Sequence, residues 1–348
     1  MTAKRRNILA FAVISALILI LFVADILFGS VSLSAADIWA VITGRADSAG
    51  DPAVYDTVRS IVTKFRLPKA AVALVAGAAL SASGLQMQTL FRNPLAGPFV
   101  LGISSGASLG VALFLLGLPL LGTGAGGEIV RNLGMVGSAW VGSALIFLII
   151  MAVSVRIKDI MVILILGMMI GSAATAFIEI LQYFSPEGAL KSFVVWSMAS
   201  VGGVTAGQLG ILLPVCGVGL LLSVLLIKPL NMLLLGENYA RTMGLNVGIT
   251  RGVIFLSTTL LAGTVTAFCG PVGFIGIAVP HVARMIFAEA DHRVLMPATI
   301  LLGAAVMLFC DIISQMPGHD IVLPVNTITA MLGIPVVVLV IVRNRKIF

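Results

Sequence analysis

Ten long apolar runs, separated by short polar punctuation, account for most of the chain: 8–28, 67–90, 99–121, 134–155, 160–184, 208–227, 252–269, 272–288, 294–313 and 325–342. A helix needs about 20 apolar residues to cross a ~30 Å hydrocarbon core. The pattern therefore predicts an all-α polytopic membrane protein of about ten transmembrane helices, folded as one transmembrane domain over 1–348. The apolar part of the first run is longer than the ~7–15 residues of a signal-peptide core, so an uncleaved first span is expected.

Composition sharpens this reading. Of 348 residues 59% are hydrophobic and 10% charged, and the mean hydropathy is +1.16, whereas soluble domains carry about 25% charged residues. Orientation follows from lysine and arginine placement. With the N-terminus inside, the inner segments hold Lys4, Arg5, Arg6, Arg92, Arg156, Lys158, Lys228, Arg241, Arg251, Arg284, Arg293, Arg343, Arg345 and Lys346, fourteen of the 21. The expected topology is N-in and C-in. The net charge of +7 is then mostly an orientation signal, and nucleic-acid binding is not expected.

The polar punctuation has its own content. Segment 29–66 is outside and too short to bury a core of its own. Pro68 suits the first turn of a helix. The second run that follows is rich in small residues, which predicts close packing inside the bundle. Gln86 and Gln88, near its inner end, are read as bonding to neighbouring helices. Arg92-Asn93-Pro94-Leu95-Ala96-Gly97-Pro98 and Gly270-Pro271-Val272-Gly273 must break helices, and irregular backbone at that depth needs cover from protein or a water-filled cavity. The two breaks sit at matching places in an expected internal repeat of spans two to five and seven to ten. Segment 185–206 predicts a short interfacial helix.

The inner island 228–251 contains one more helix signal. Glu237 lies in a first turn, Arg241 follows at i,i+4, Gly236 precedes the helix and Gly244 suits a left-handed C-terminal position. From the letters alone this is either a capped connector or a docking element.

Catalytic chemistry is missing from the pattern. His281, His292 and His319 show no helical pairing, and no H-E-x-x-H or cysteine cluster exists. Cys216, Cys269 and Cys310 read as packing residues. No G-x-x-x-x-G-K-[ST] occurs, so nucleotide cannot be bound here by a P-loop. Neither a catalytic residue, a metal site nor a cofactor is expected. Asp25 and Asp311 lie near span ends and read as water-exposed. Glu179, with Tyr183 on the same helix, is the better candidate for a polar pathway.

Several motifs in order resemble the FecCD-type, BtuC-like permeases: Arg66-Leu67-Pro68-Lys69, Arg92-Asn93-Pro94-Leu95-Ala96, Leu235-Gly236-Glu237-Asn238-Tyr239-Ala240-Arg241, Gly273-Phe274-Ile275-Gly276 with Val279-Pro280-His281, Asp291-His292-Arg293, and Leu323-Pro324-Val325 with Leu332-Gly333-Ile334-Pro335. These are the transmembrane subunits of type II ABC importers for iron-siderophores, haem and vitamin B12. The resemblance covers nearly the whole chain. It implies a homodimer in the inner (cytoplasmic) membrane, two ATP-binding cassette ATPase subunits and a periplasmic or lipid-anchored substrate-binding protein. Transport, with no enzymatic step on this chain, is the expected activity.

Residue roles follow from the same resemblance. Gly236, Glu237, Ala240, Arg241 and Gly244 match the segment that couples to the ATPase. Arg66 matches an arginine that receives an acidic residue of the binding protein. Lys69 stands where arginine is common, and Gln315 where some relatives carry another arginine in the last outer loop; Arg59 or Lys64 would compensate. The path is expected at the dimer axis along spans five and ten, with Met168, Ser172, Thr175, Glu179 and Tyr183 on its wall. Packing against a neighbour explains that stripe as well. The competing reading is a transporter driven by an ion gradient, with Glu179 as its working carboxylate.

Overall fold

A computed structural model describes residues 3–29, 33–43, 52–120, 128–157, 159–315 and 322–343, and contains helices but no strand among them. Ten apolar helices match the ten runs one for one. The first is Ala3–Leu27 and the second Leu67–Phe91. The third is Ile103–Ala112, prolonged by the wide π turn Leu113–Gly117. Glu128–Arg156, Ile160–Phe184 and Ala206–Leu225 are the fourth, fifth and sixth. The seventh runs from Val247–Thr258 through the π turn Thr259–Gly263 to Thr264–Cys269. Ile275–Phe287, His292–Ser314 and Val325–Arg343 complete the set. Seven are long and apolar enough to cross a bilayer, and the third, eighth and tenth are shorter apolar helices. This is a multi-pass membrane protein.

The second span is the axle of the bundle. Every residue from Ala76 to Phe91 is buried, and the ninth, eighth, sixth and seventh spans pack around it. The first span, by contrast, has only 6% of its apolar window buried. The small-residue pattern explains the difference. Lipid supplies no hydrophobic drive between helices, so association depends on close backbone contact. A Cβ added to Gly84 would stand 1.8 Å from the carbonyl oxygen of Gly276, and one on Gly77 would stand 2.1 Å from that of Gly303. Gly84→Val is expected to lower the thermal unfolding temperature of the purified permease by the equivalent of at least the 1–3 kcal/mol typical of overpacking, about, since only backbone can give way. Gly137→Ala is the control, because nothing lies within 4 Å of the added methyl; equal melting of both variants would refute the packing account.

Polar groups in the bundle are satisfied in place. Gln86 Nε2 donates to Ser223 Oγ (2.7 Å) and Ser257 Oγ (3.1 Å), and its Oε1 accepts from Thr258 (3.2 Å). Gln88 donates to the Ile277 carbonyl (3.1 Å) and accepts from Arg284 (2.6 Å). Both glutamines therefore bond helix to helix. The two breaker clusters are real breaks: Arg92, Gly102, Gly270 and Phe274 have φ of 48°, 73°, 81° and 65°. Their backbone is covered by protein. His281 Nε2 donates to the Pro94 carbonyl at 2.8 Å, and Asn326 Oδ1 accepts from the Gly273 amide at 2.8 Å.

Pro68 does not begin its helix. Pro52–Ile61 and the π turn Val62–Arg66 run straight into Leu67–Phe91. Proline lacks the N–H that an α-turn would use, and its ring crowds the preceding carbonyl; the widened turn takes up both. The expected interfacial helix is present as Glu187–Ser197.

Candidate functional site

The island begins with a separate helix, Ile227–Leu234, which buries Leu230 and Leu233. Its Asn231 is the fastening. Asn231 Nδ2 donates to Asp291 Oδ1 (2.6 Å), and its Oδ1 accepts from the His292 amide (2.9 Å) and from His292 Nδ1 (2.8 Å). Because that oxygen only accepts, Nδ1 carries the proton and Nε2 accepts from the Thr89 hydroxyl at 2.8 Å. The segment is thereby tied to both the second and the ninth spans. Asp291, the N-cap of the ninth span, is held below the ordinary carboxylate pKa, first by the Arg293 backbone N–H and then by Asn231.

The helix Glu237–Thr242 follows. Gly236 enters it at φ 111°, and a Cβ there would meet the Arg92 guanidinium at 2.8 Å. Ala240 is fully buried. The end is closed by two bonds, Leu245 N–H to the Ala240 carbonyl and Gly244 N–H to the Arg241 carbonyl, both 3.0 Å, with Gly244 at φ 86°. This paired pattern is the Schellman closure, and it needs a residue without Cβ strain at Gly244.

Glu237 pairs differently from the i,i+4 expectation. Arg241 Nη2 stands 3.9 Å from Glu237 Oε2 and its side chain is half exposed. The closer partner is Arg251, fourteen residues on, whose Nη2 makes a short contact to Glu237 Oε1 and whose Nε donates to the same atom at 3.2 Å. The Arg251 side chain is 4% exposed. Held at the start of the seventh span, its rigid guanidinium offers two donors to one carboxylate, which a flexible exposed neighbour on the same helix does not match. The short helix is therefore held to the seventh span through Arg251, and the helix before it to the second and ninth spans through Asn231 and His292, with Asn238 and Tyr239 exposed beside a groove of about 490 Å³.

At the opposite end of the bundle the expected water-exposed acids are buried. Asp25 is 0% and Asp311 2% exposed. Lys69 Nζ lies 2.8 Å from Asp311 Oδ2 and 3.4 Å from Asp25 Oδ1. Gln315 is not in a loop but caps the ninth span, buried, and donates to Asp25 Oδ1 (2.8 Å) and Asp311 Oδ2 (3.2 Å). Arg66 Nη1 donates to the last carbonyls of the first span, Ile26 (2.8 Å) and Leu27 (2.9 Å). Sequence reading missed this cluster because Lys69 and Gln315 lie 44 and 290 positions from Asp25. Arg66, Lys69 and Gln315 line one side of a pocket of about 250 Å³, while Arg59 is exposed.

The fifth span buries Ile163, Gly167, Gly171, Ala174 and Ile178. Met168, Ser172, Thr175, Glu179 and Tyr183 all lie on its exposed flank, beside apolar neighbours such as Phe177 and Ile180. The Ser172 and Thr175 hydroxyls donate to the carbonyls one turn earlier, Met168 (3.1 Å) and Gly171 (3.0 Å). Among the described residues no group of three metal-ligating side chains is found; His319 lies outside those residues. The three cysteines are free and buried.

The profile of the FecCD transport family matches residues 17–343. Over 285 residues the chain is 36% identical to the vitamin B12 import system permease protein BtuC of Klebsiella pneumoniae subsp. pneumoniae, covering 82% of this chain and 83% of that one. It is 35% identical to the protein of the same name from Escherichia coli O9:H4, covering 82% and 84%. Among solved structures, a metal-chelate type ABC transporter in an inward-facing conformation superposes with a TM-score of 0.81 and 27% identity, over 96% of this chain and 99% of that chain. PsaBC from Streptococcus pneumoniae in complex with Fab shares the fold at a TM-score of 0.54, with 16% identity over 83% of this chain and 95% of that chain.

Proposed function

The chain belongs to the FecCD transport family, and from that premise we propose that it is the membrane permease of an ATP-driven importer carrying a metal chelate or corrinoid inward. Two copies form the path between them, two ATPase subunits dock on the inner face, and a substrate-binding protein delivers cargo on the outer face of the cytoplasmic membrane. The single observation that carries this reading is the clamped helix Glu237–Thr242. A six-residue helix held to the seventh span by Arg251, and joined to a helix tied to the second and ninth, passes a push from a partner into the bundle, which a slack loop would absorb. Lysine and arginine placement puts that helix inside, and the exposed faces of the fifth and tenth spans are available to a second copy.

Cargo class rests on the relatives, which are vitamin B12 permeases, and on the metal-chelate transporter that shares the architecture. Both handle large preassembled chelates. Alternating access at the dimer axis, with Met168, Ser172, Thr175, Glu179 and Tyr183 along it, moves such a cargo without breaking a bond. Binding-protein docking is assigned to the outer pocket at Arg66 and Lys69 together with the exposed Arg59.

The test is uptake into proteoliposomes containing the permease, its ATPase and loaded binding protein. Uptake is expected to require ATP and to persist when ionophores collapse proton and sodium gradients. Glu179→Gln is expected to keep uptake ATP-driven, with a changed rate. Uptake that follows an imposed ion gradient without ATP, and vanishes in Glu179→Gln, would establish the gradient-driven transporter instead.

A further inference from the structure

A second cavity, of about 420 Å³, opens between the outer ends of the fourth, sixth and seventh spans and the helix Glu187–Ser197. Its floor is apolar, formed by Met135, Val136 and Phe268, and its rim holds Lys191, Trp196 and Gln208. The rim is a set of donors. Trp196 Nε1 is buried without a partner. Gln208 Oε1 already accepts from the Thr205 amide at 3.0 Å, which turns its amide N–H groups outward from that bond. Lys191 is exposed and forms no ion pair among the described residues, even with Glu187 one turn earlier. No carboxylate lines the cavity.

A lining with an unpaired ammonium, an outward amide and no carboxylate, over an apolar floor, selects an amphiphile with an anionic head. The neighbouring surfaces say where it comes from. The fourth and sixth spans flank the opening with exposed Leu133, Val141, Ile211 and Leu213, side chains suited to acyl chains rather than water. We propose that this cavity binds an anionic phospholipid of the outer leaflet, its phosphate held by Lys191 and Gln208 and its chain laid over Phe268. The leaflet rests on the orientation given above; the headgroup chemistry does not. An ammonium at a membrane surface attracts anionic lipid.

The experiment uses the homodimeric permease in nanodiscs with Trp196 as its single tryptophan, Trp39 and Trp140 replaced by phenylalanine. Nanodiscs contain equal fractions of phosphatidylglycerol or phosphatidylcholine, brominated near the carbonyl. Bromophosphatidylglycerol is expected to quench Trp196 about fivefold more effectively than bromophosphatidylcholine, the preference one lysine gives at a membrane surface. Lys191→Gln should bring that ratio close to one. Gly203→Leu, at a lining position where an added Cβ meets nothing within 4 Å, should reduce quenching by both lipids. Unmodified protein gives a second reading: phosphatidylglycerol should be enriched among its co-purified lipids and lose that enrichment in Lys191→Gln. Equal quenching by the two headgroups, a ratio that Lys191→Gln leaves unchanged, or quenching abolished by cargo in place of lipid overturns the proposal.

Discussion

Replacing Gly244 with proline is expected to abolish the stimulation of ATP hydrolysis by loaded binding protein while the permease remains assembled in the membrane. Gly244 closes the helix Glu237–Thr242 at φ 86° and donates its N–H to the Arg241 carbonyl at 3.0 Å. Proline has no N–H and a φ fixed near −65°, so both features go at once. The Ala240 carbonyl then loses its alignment with Leu245, and the helix end frays into the loop before the seventh span. Alanine isolates one part of the effect. Its methyl meets nothing within 4 Å, and the left-handed conformation alone costs about 1–2 kcal/mol. Stimulated ATPase activity in the reconstituted complex should therefore be lowered partly in Gly244→Ala, and by more than about tenfold, the equivalent of 1.4 kcal/mol, in Gly244→Pro. Co-purification of the ATPase separates failed docking from failed transmission. Full stimulation in the proline variant would mean that this helix is only a connector.

The legible and illegible parts of this molecule divide by range. Apolar runs of spanning length are a local signal, and all ten became helices, although the second is entered from Pro52 and the third, eighth and tenth are shorter than a full span. The glycine on each side of the helix Glu237–Thr242 was equally local, because φ near 111° and 86° is a demand on one residue. Pairing was not local. Arg241 at i,i+4 was the evident partner for Glu237, yet Arg251 took the place because the seventh span turns back beside the island and buries its guanidinium there. Asp25 and Asp311 look like span-end residues in contact with water; only the packing of the first, second and ninth spans puts them against Lys69. The three π turns were also unreadable. At Val62–Arg66 the cue was Pro68, which served equally well as a helix start.

Lys69→Met is expected to destabilise the purified permease far more than Asp25→Asn, although the two side chains belong to one cluster. Asp25 and Asp311 are buried side by side, and Lys69 is the cation that both carboxyl groups face. Without the lysine, two buried carboxylates share the amide of Gln315, at 2.8 and 3.2 Å, with no cation between them. Breaking a buried ion pair from one side costs about 3–5 kcal/mol. Asp25→Asn keeps the shape and the oxygen that accepts from Gln315, and leaves Lys69 its closer partner Asp311 at 2.8 Å. It also replaces Oδ2, which has no hydrogen-bond partner, so the loss should be about 1 kcal/mol. The double variant decides between a coupled cluster and independent contacts. Asp25→Asn removes one of the two facing carboxyl groups that Lys69→Met leaves without a cation, and should therefore raise the unfolding temperature of Lys69→Met rather than lower it. Solvated, independent ion pairs would instead give small losses that add. Additive melting shifts across the cycle would place these side chains in water as independent pairs.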